Sequence, residues 1–240
     1  MSYDPTNRWS ASANAGVSQV GIDAGLRSYM LRVYNYMAGG LAITGLVAWF
    51  SQDFVLQLAV QHSPLMYVLI FAPLAFVLVL SFGIQRMSLG ATQATFWGYA
   101  AVMGLSMSTI FLAYTTASIA QVFFITAATF LAMSLWGYTT KKDLTGFGSF
   151  LFMGLIGIII ASLVNFFVQS AALQFAVSVI GVLVFTGLTA YDTQQIKEMY
   201  FEGDSTAIAG KKSIMGALRL YLDFINLFLM LMQLMGNRRN

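Results

Sequence analysis

Asp192 and Asp223 are the residues of this chain best placed to do chemistry. Each stands in or at the edge of a segment otherwise apolar enough to lie in lipid. The first is Gly187-Leu-Thr-Ala-Tyr-Asp-Thr-Gln-Gln-Ile196; the second, with its aspartate thirty-one residues on, is Leu220-Tyr-Leu-Asp-Phe-Ile-Asn-Leu-Phe228. An ionisable group near the centre of such a helix costs at least about 2.5–3.5 kcal/mol, which makes it a functional-site candidate in need of a partner. Two carboxyls on consecutive segments are each other's candidate partners. In a poorly hydrated site they cannot both ionise cheaply, so the pair holds one shared proton and responds to pH near neutrality. Doubly ionised, the same oxygens suit a hard cation such as Ca²⁺, with carbonyls and waters completing the shell. An arginine would compete with both roles. Arg219 lies one turn from Asp223, and Arg86 lies at the end of the second apolar segment. A static arrangement fits the spacing equally well, with Arg219 paired to Asp223 at i, i+4 and Asp192 capping a helix end near Lys197.

The elements that must position these groups follow from periodicity. Arg219, Asp223, Asn226, Met230 and Gln233 recur at alternating steps of four and three, so they share one helical face. That face carries too many polar groups to point at lipid and must turn toward other helices. On the preceding segment, Ser178, Gly181, Phe185, Thr189, Asp192 and Gln195 form a small or polar face suited to meet it. At a rise of 1.5 Å per residue, Asp223 lies ~14 Å past the start of its run and Asp192 ~7 Å before Lys197, in the same half of the membrane.

The chain has 240 residues, 58% hydrophobic and 9% charged, with mean hydropathy +0.75. Soluble domains carry about 25% charged residues, so lipid must solvate this surface. The expected fold is an all-α integral membrane protein with seven transmembrane helices, near 33–50, 65–84, 95–114, 119–138, 147–168, 173–192 and 214–235. Residues 1–28 are expected to form a tail, disordered to about residue 18 and then interfacial, without a cleavable signal; 29–240 form a single bundle. The runs lack period-2 alternation, which argues against a β-barrel. Arg8, Arg27, Arg32, Arg86, Lys141, Lys142, Lys197, Lys211 and Lys212 all fall on one side of this arrangement, giving a cytoplasmic N-terminus. Arg238 and Arg239 break the pattern if the last segment crosses, and fit it if that segment dips in and returns; crossing is favoured by its length. Trp9, Tyr34, Tyr36, Trp49, Trp97, Tyr114, Trp136 and Tyr138 sit where interfacial belts belong. Scattered basic residues give no nucleic-acid face. Without cysteine there are no disulfides or thiolate metal sites, and His62 reads as a solvated loop residue. No tightly bound cofactor is expected; the partners expected are the bilayer, protons and Ca²⁺.

The two aspartate motifs, extended to Gly216-Ala-Leu-Arg-Leu-Tyr-Leu-Asp-Phe-Ile-Asn-Leu-Phe228, together with Thr139-Thr-Lys-Lys-Asp-Leu-Thr-Gly146 and Ala161-Ser-Leu-Val-Asn-Phe166, resemble the Bax inhibitor-1 family in its bacterial inner-membrane branch. The resemblance runs from about residue 24 to the end. It implies a central helix surrounded by the others and a pH-sensitive calcium leak. In that leak Asp192 and Asp223 share a proton and a basic residue, Arg86 here, latches the closed pore. Arg219 departs from the family pattern, where a small or neutral polar residue is more usual; an arginine there would hold Asp223 ionised and move the pH response downward. The alternative is a non-conducting regulator that binds other membrane proteins, such as a quality-control protease. The scarcity of pore-lining polar groups beyond Ser, Thr, Asn165 and Asn226 favours that alternative or a slow leak. An intramembrane aspartyl protease is not expected: Leu220-Tyr-Leu-Asp replaces the Gly-x-Gly-Asp such enzymes need, and a Pro-Ala-Leu motif is missing. The chain is not expected to be an enzyme. Proton-coupled transport lacks the paired broken segments it would need.

Overall fold

The structure is a computed structural model that describes residues 6–84 and 86–239, with side chains from Ala24 onward. Eight helices follow one another: α1 (Thr6–Val60), α2 (Leu65–Gly83), α3 (Leu89–Met107), α4 (Ile110–Ala113), α5 (Thr116–Thr139), α6 (Thr145–Val168), α7 (Ala171–Glu198) and α8 (Thr206–Met235). Seven stretches are long and apolar enough to cross a membrane, the short α4 continuing the third. Hydroxyl side chains start four of the helices. Ser88, Thr115, Ser170 and Ser205 each accept from a backbone N–H three residues on, satisfying a group the first turn leaves unpaired.

The boundaries depart from expectation in two places. The chain is one continuous helix from Thr6 through the first span, with no break between interfacial segment and crossing; the first five residues of the expected tail lie outside the described part. The third run, expected unbroken over 95–114, ends at Met107 and resumes as α4. Ser108 Oγ bonds Gly104 O at 3.1 Å and Ser51 Oγ at 2.6 Å, and Thr109 Oγ1 donates to Ser106 O at 2.9 Å. Such back-bonding competes with the helical ladder.

Helix α8 is the axis of the bundle. α7, α1, α5 and α3 pack against it, while α2 leans mainly on α3 and α6 on α7. Leu220, Tyr221 and Leu227 have no exposed surface at all, as the central position implied by the resemblance requires. Lipid tails are as apolar as leucine, so close packing rather than water expulsion holds such helices together. Small residues set the closest approaches. A Cβ at Gly137 of α5 would run into the Ala190 carbonyl of α7, and one at Gly104 of α3 would meet Thr44 O of α1.

The two ends of the bundle differ. At one end, Lys197 Nζ donates to Tyr138 O at the close of α5 at 2.9 Å, and Lys212 bridges Asp204 at 2.5 Å while donating to Met199 O at 3.0 Å. Here too Asp143 Oδ1 accepts from Thr145 N at 2.8 Å, and hydrogen bonds from the Thr145 side chain and N–H hold its carboxyl below the usual range. At the other end, Asn237 N donates to Ser118 Oγ and Thr115 N to Asn237 O, both beside the start of α5. The last helix therefore crosses rather than returning, and Arg238 and Arg239 lie opposite the lysine-bearing turns.

Candidate functional site

The α7–α8 hairpin brings the two aspartates together. Its register is read from Ser178 Oγ against Gln233 Oε1 at 2.7 Å and from Gly181 against Met230 and Gly216 against Ile196. Antiparallel pairing on those contacts sets Asp192 level with Arg219 and Asp223 level with Leu188, one turn apart. The carboxyls are 8% and 5% exposed and close enough to act directly on each other. Asp223 Oδ2 is enclosed with no hydrogen-bond partner. A buried carboxylate oxygen without a donor is costly, which makes this the place where a proton or a cation is most needed.

Arg219 is exposed, one turn from Asp223 on α8. Among the described residues no ion pair joins it to either aspartate; the one salt bridge is Lys212–Asp204. The static i, i+4 pair is therefore not formed. Nor does Asp192 cap a helix end, since α7 continues past it to Glu198 and Met199 closes the last turn. Arg86 lies exposed in the turn between α2 and α3 and is not among the charges acting on the aspartates. Asn226 is half-buried one turn beyond Asp223, its Nδ2 donating to Leu222 O at 2.8 Å. Asn165 is far from the pair, at the end of α6.

Hydroxyl groups that the sequence did not mark as site residues back the pair. Tyr34 of α1 bonds Ser134 of α5 at 2.6 Å, and Ser134 bonds Thr193 of α7 at 3.0 Å. Thr193 is the neighbour of Asp192, so three helices are tied at the level of the carboxyls. Tyr34 and Ser134 also line a groove of about 420 Å³ between α1 and α5, with Arg27 at its edge. On α8 itself, Tyr221 bonds Thr44 at 2.6 Å, and Thr44 donates to Ala100 O at 2.9 Å. The polar run Asp192-Thr-Gln-Gln195 was a signal for Thr193; nothing local pointed to Tyr34 or Ser134.

One side of α8 stays partly open. Arg219 and Gln233 are exposed and Leu222, Asn226, Leu229 and Met230 half-buried, a seam running from the level of Asp192 to the opposite end of the bundle. As a cation site the pair supplies two carboxylates. No third His, Cys, Asp or Glu joins them among the described residues, so Ca²⁺, which takes about six to eight oxygens, would draw the rest from carbonyls, hydroxyls and water.

Residues 26–240 match the family described as Inhibitor of apoptosis-promoting Bax1. The chain belongs to the Bax inhibitor-1 family. The inner membrane protein YbhL of Escherichia coli strain K12 is 54% identical over 220 residues, covering 90% of this chain and 94% of its own. A protein of Rickettsia prowazekii is 51% identical over 220 residues, covering 91% and 93%. A membrane protein of Streptococcus pyogenes is 34% identical over 218 residues, covering 89% and 94%. Family membership thus spans both aspartate motifs and every membrane-crossing helix.

Proposed function

We propose that this Bax inhibitor-1 family protein is a slow, pH-responsive cation leak, with Ca²⁺ as the ion its oxygens favour, and that it catalyses no covalent reaction. The observation that carries the reading is the buried Asp192–Asp223 pair, which has no ion-paired arginine among the described residues and leaves Asp223 Oδ2 without a donor. Holding one proton between them, the carboxyls are a closed, hydrogen-bonded unit; losing it, they repel each other and become ligands for a cation. The seam along α8 supplies a route past them that already has one polar group, Asn226, midway. The scarcity of others fits a low rate.

Gating in this reading involves α2. It packs on α3 and only lightly on α1, Pro73 interrupts its hydrogen-bond ladder, and an inward movement would carry the following turn, and Arg86, toward the pair. By analogy with YbhL, whose name places it in the inner membrane, the protein resides in a bacterial inner membrane, with the lysine-bearing turns and the N-terminus in the cytoplasm.

The test is Ca²⁺ flux into liposomes carrying the purified protein, measured across pH. Asp192→Asn and Asp223→Asn are each expected to flatten the pH profile, and Arg86→Ala to raise basal flux. Unchanged profiles in both aspartate variants would remove the carboxyl pair as sensor. Absence of flux at every pH would assign the chain instead to the non-conducting regulators that act by binding other membrane proteins.

A further inference from the structure

At the end of the bundle opposite the lysine-bearing turns, α6, α7 and the C-terminal tail enclose a cavity of about 690 Å³. Arg238, Asn165, Gln169 and Gln233 contribute polar groups, Phe166 and Val177 apolar walls, and no Asp or Glu takes part.

Asn165 is held by hydrogen bonds in an orientation that leaves a donor free. Asn165 O accepts from Gln169 N at 2.8 Å, and Asn165 Oδ1 accepts from Ser170 N at 2.9 Å. Both its oxygens are thus spent on the α6–α7 turn, where Gln169 adopts φ 53°, and Nδ2 is left as a donor. The backbone that carries Arg238 is held on both sides: Asn237 O accepts from Thr115 N at 3.0 Å and Arg239 N donates to Ala113 O at 2.9 Å, with Tyr114 and Arg238 forming an antiparallel bridge. Arg238 forms no ion pair among the described residues. The first turn of α7 also borders the cavity at Ala171, presenting the positive end of its dipole.

A guanidinium, an amide donor and no acid select an anion, and a guanidinium fork matches phosphate oxygens best. The surroundings decide which phosphate. The cavity lies where the apolar α6 ends and α7 begins, and Phe166, Phe167 and Phe175 beside it are 74%, 77% and 64% exposed, a surface for acyl chains. We propose that this cavity binds the phosphate of a phospholipid headgroup, with Arg238 and Asn165 as its donors. The inference stands whether or not the protein conducts; Gln233, shared by the cavity and the α8 seam, places the lipid at the seam's far mouth.

Native mass spectrometry of the delipidated protein in detergent, titrated with phosphatidylglycerol, tests this. Arg238→Ala is expected to weaken one bound lipid by about tenfold or more, the loss typical of a charged hydrogen bond, and Arg238→Lys to recover part of it. Asn165→Leu should weaken the same lipid, and Arg32→Ala, at the opposite end, should not. Circular dichroism and thermal unfolding matching the wild type would show that the variants fold. Equal lipid retention in folded Arg238→Ala and wild type would overturn the proposal. So would displacement of that lipid by millimolar inorganic phosphate, which would assign the cavity to the free ion.

Discussion

In the proposed leak, Arg219 is the side chain that tunes the aspartate pair. Arg219 forms no ion pair with either carboxyl among the described residues, yet it stands one turn from Asp223 on α8 and level with Asp192 across the hairpin. In the proposed leak, a positive charge this near favours the ionised pair. Arg219→Gln is therefore expected to move the midpoint of the flux–pH profile upward, and Arg219→Lys to stay near wild type. An unmoved midpoint in the glutamine variant would show that the guanidinium is screened from the pair. The aspartates were legible in the sequence because a charge in an apolar run has few other uses. The Tyr34–Ser134–Thr193 chain was not, because hydroxyls in membrane helices usually satisfy themselves on their own backbone, as Thr126 and Thr129 do here. A partner one hundred residues away, as Ser134 is from Tyr34, leaves no local trace.

Among the elements, α7 carries the most specific contacts. It turns Thr189 and Asp192 toward α8, Thr193 toward α5, and Gln194 toward the α5–α6 turn. The Gln194 amide does two jobs there, donating to Lys142 O at 2.8 Å and accepting from Leu144 N at 2.9 Å. Gln194→Ala would strand Leu144 N in a buried position, an expected loss of about 1–3 kcal/mol. It should show as faster hydrogen exchange confined to the α5–α6 turn; exchange unchanged there would mean water replaces the amide. The length and number of the spans were readable from hydropathy alone, since a helix crossing lipid must be apolar throughout. The break after Met107 was not, because it depends on Ser108 finding Ser51 on another helix. The tail's attachment beside the start of α5 was equally hidden, being made by backbone groups that any sequence supplies together with Ser118 Oγ and Arg239 Nη1, whose partners lie more than a hundred residues away.

For the whole molecule, the open matter in the sequence was whether the chain crosses seven times despite two terminal arginines. The charge rule alone favours a returning last segment. α8 instead crosses as an unbroken helix, with Asn237 and Arg239 bonded to the α4–α5 connection. Arg239 stays exposed with its Nη1 donating to Phe111 O at 3.0 Å, and in the proposal above Arg238 meets a phosphate. The absence of cysteine makes this directly measurable, since any introduced thiol is the only one. A Thr140→Cys variant places the thiol at the lysine-bearing end and Met235→Cys at the tail end. In intact spheroplasts a membrane-impermeant maleimide is expected to label Met235→Cys and spare Thr140→Cys, with both labelling after lysis. Labelling of Thr140→Cys alone in intact cells would invert the molecule. Labelling of neither before lysis, with both after it, would place the two ends on one side and restore the returning segment.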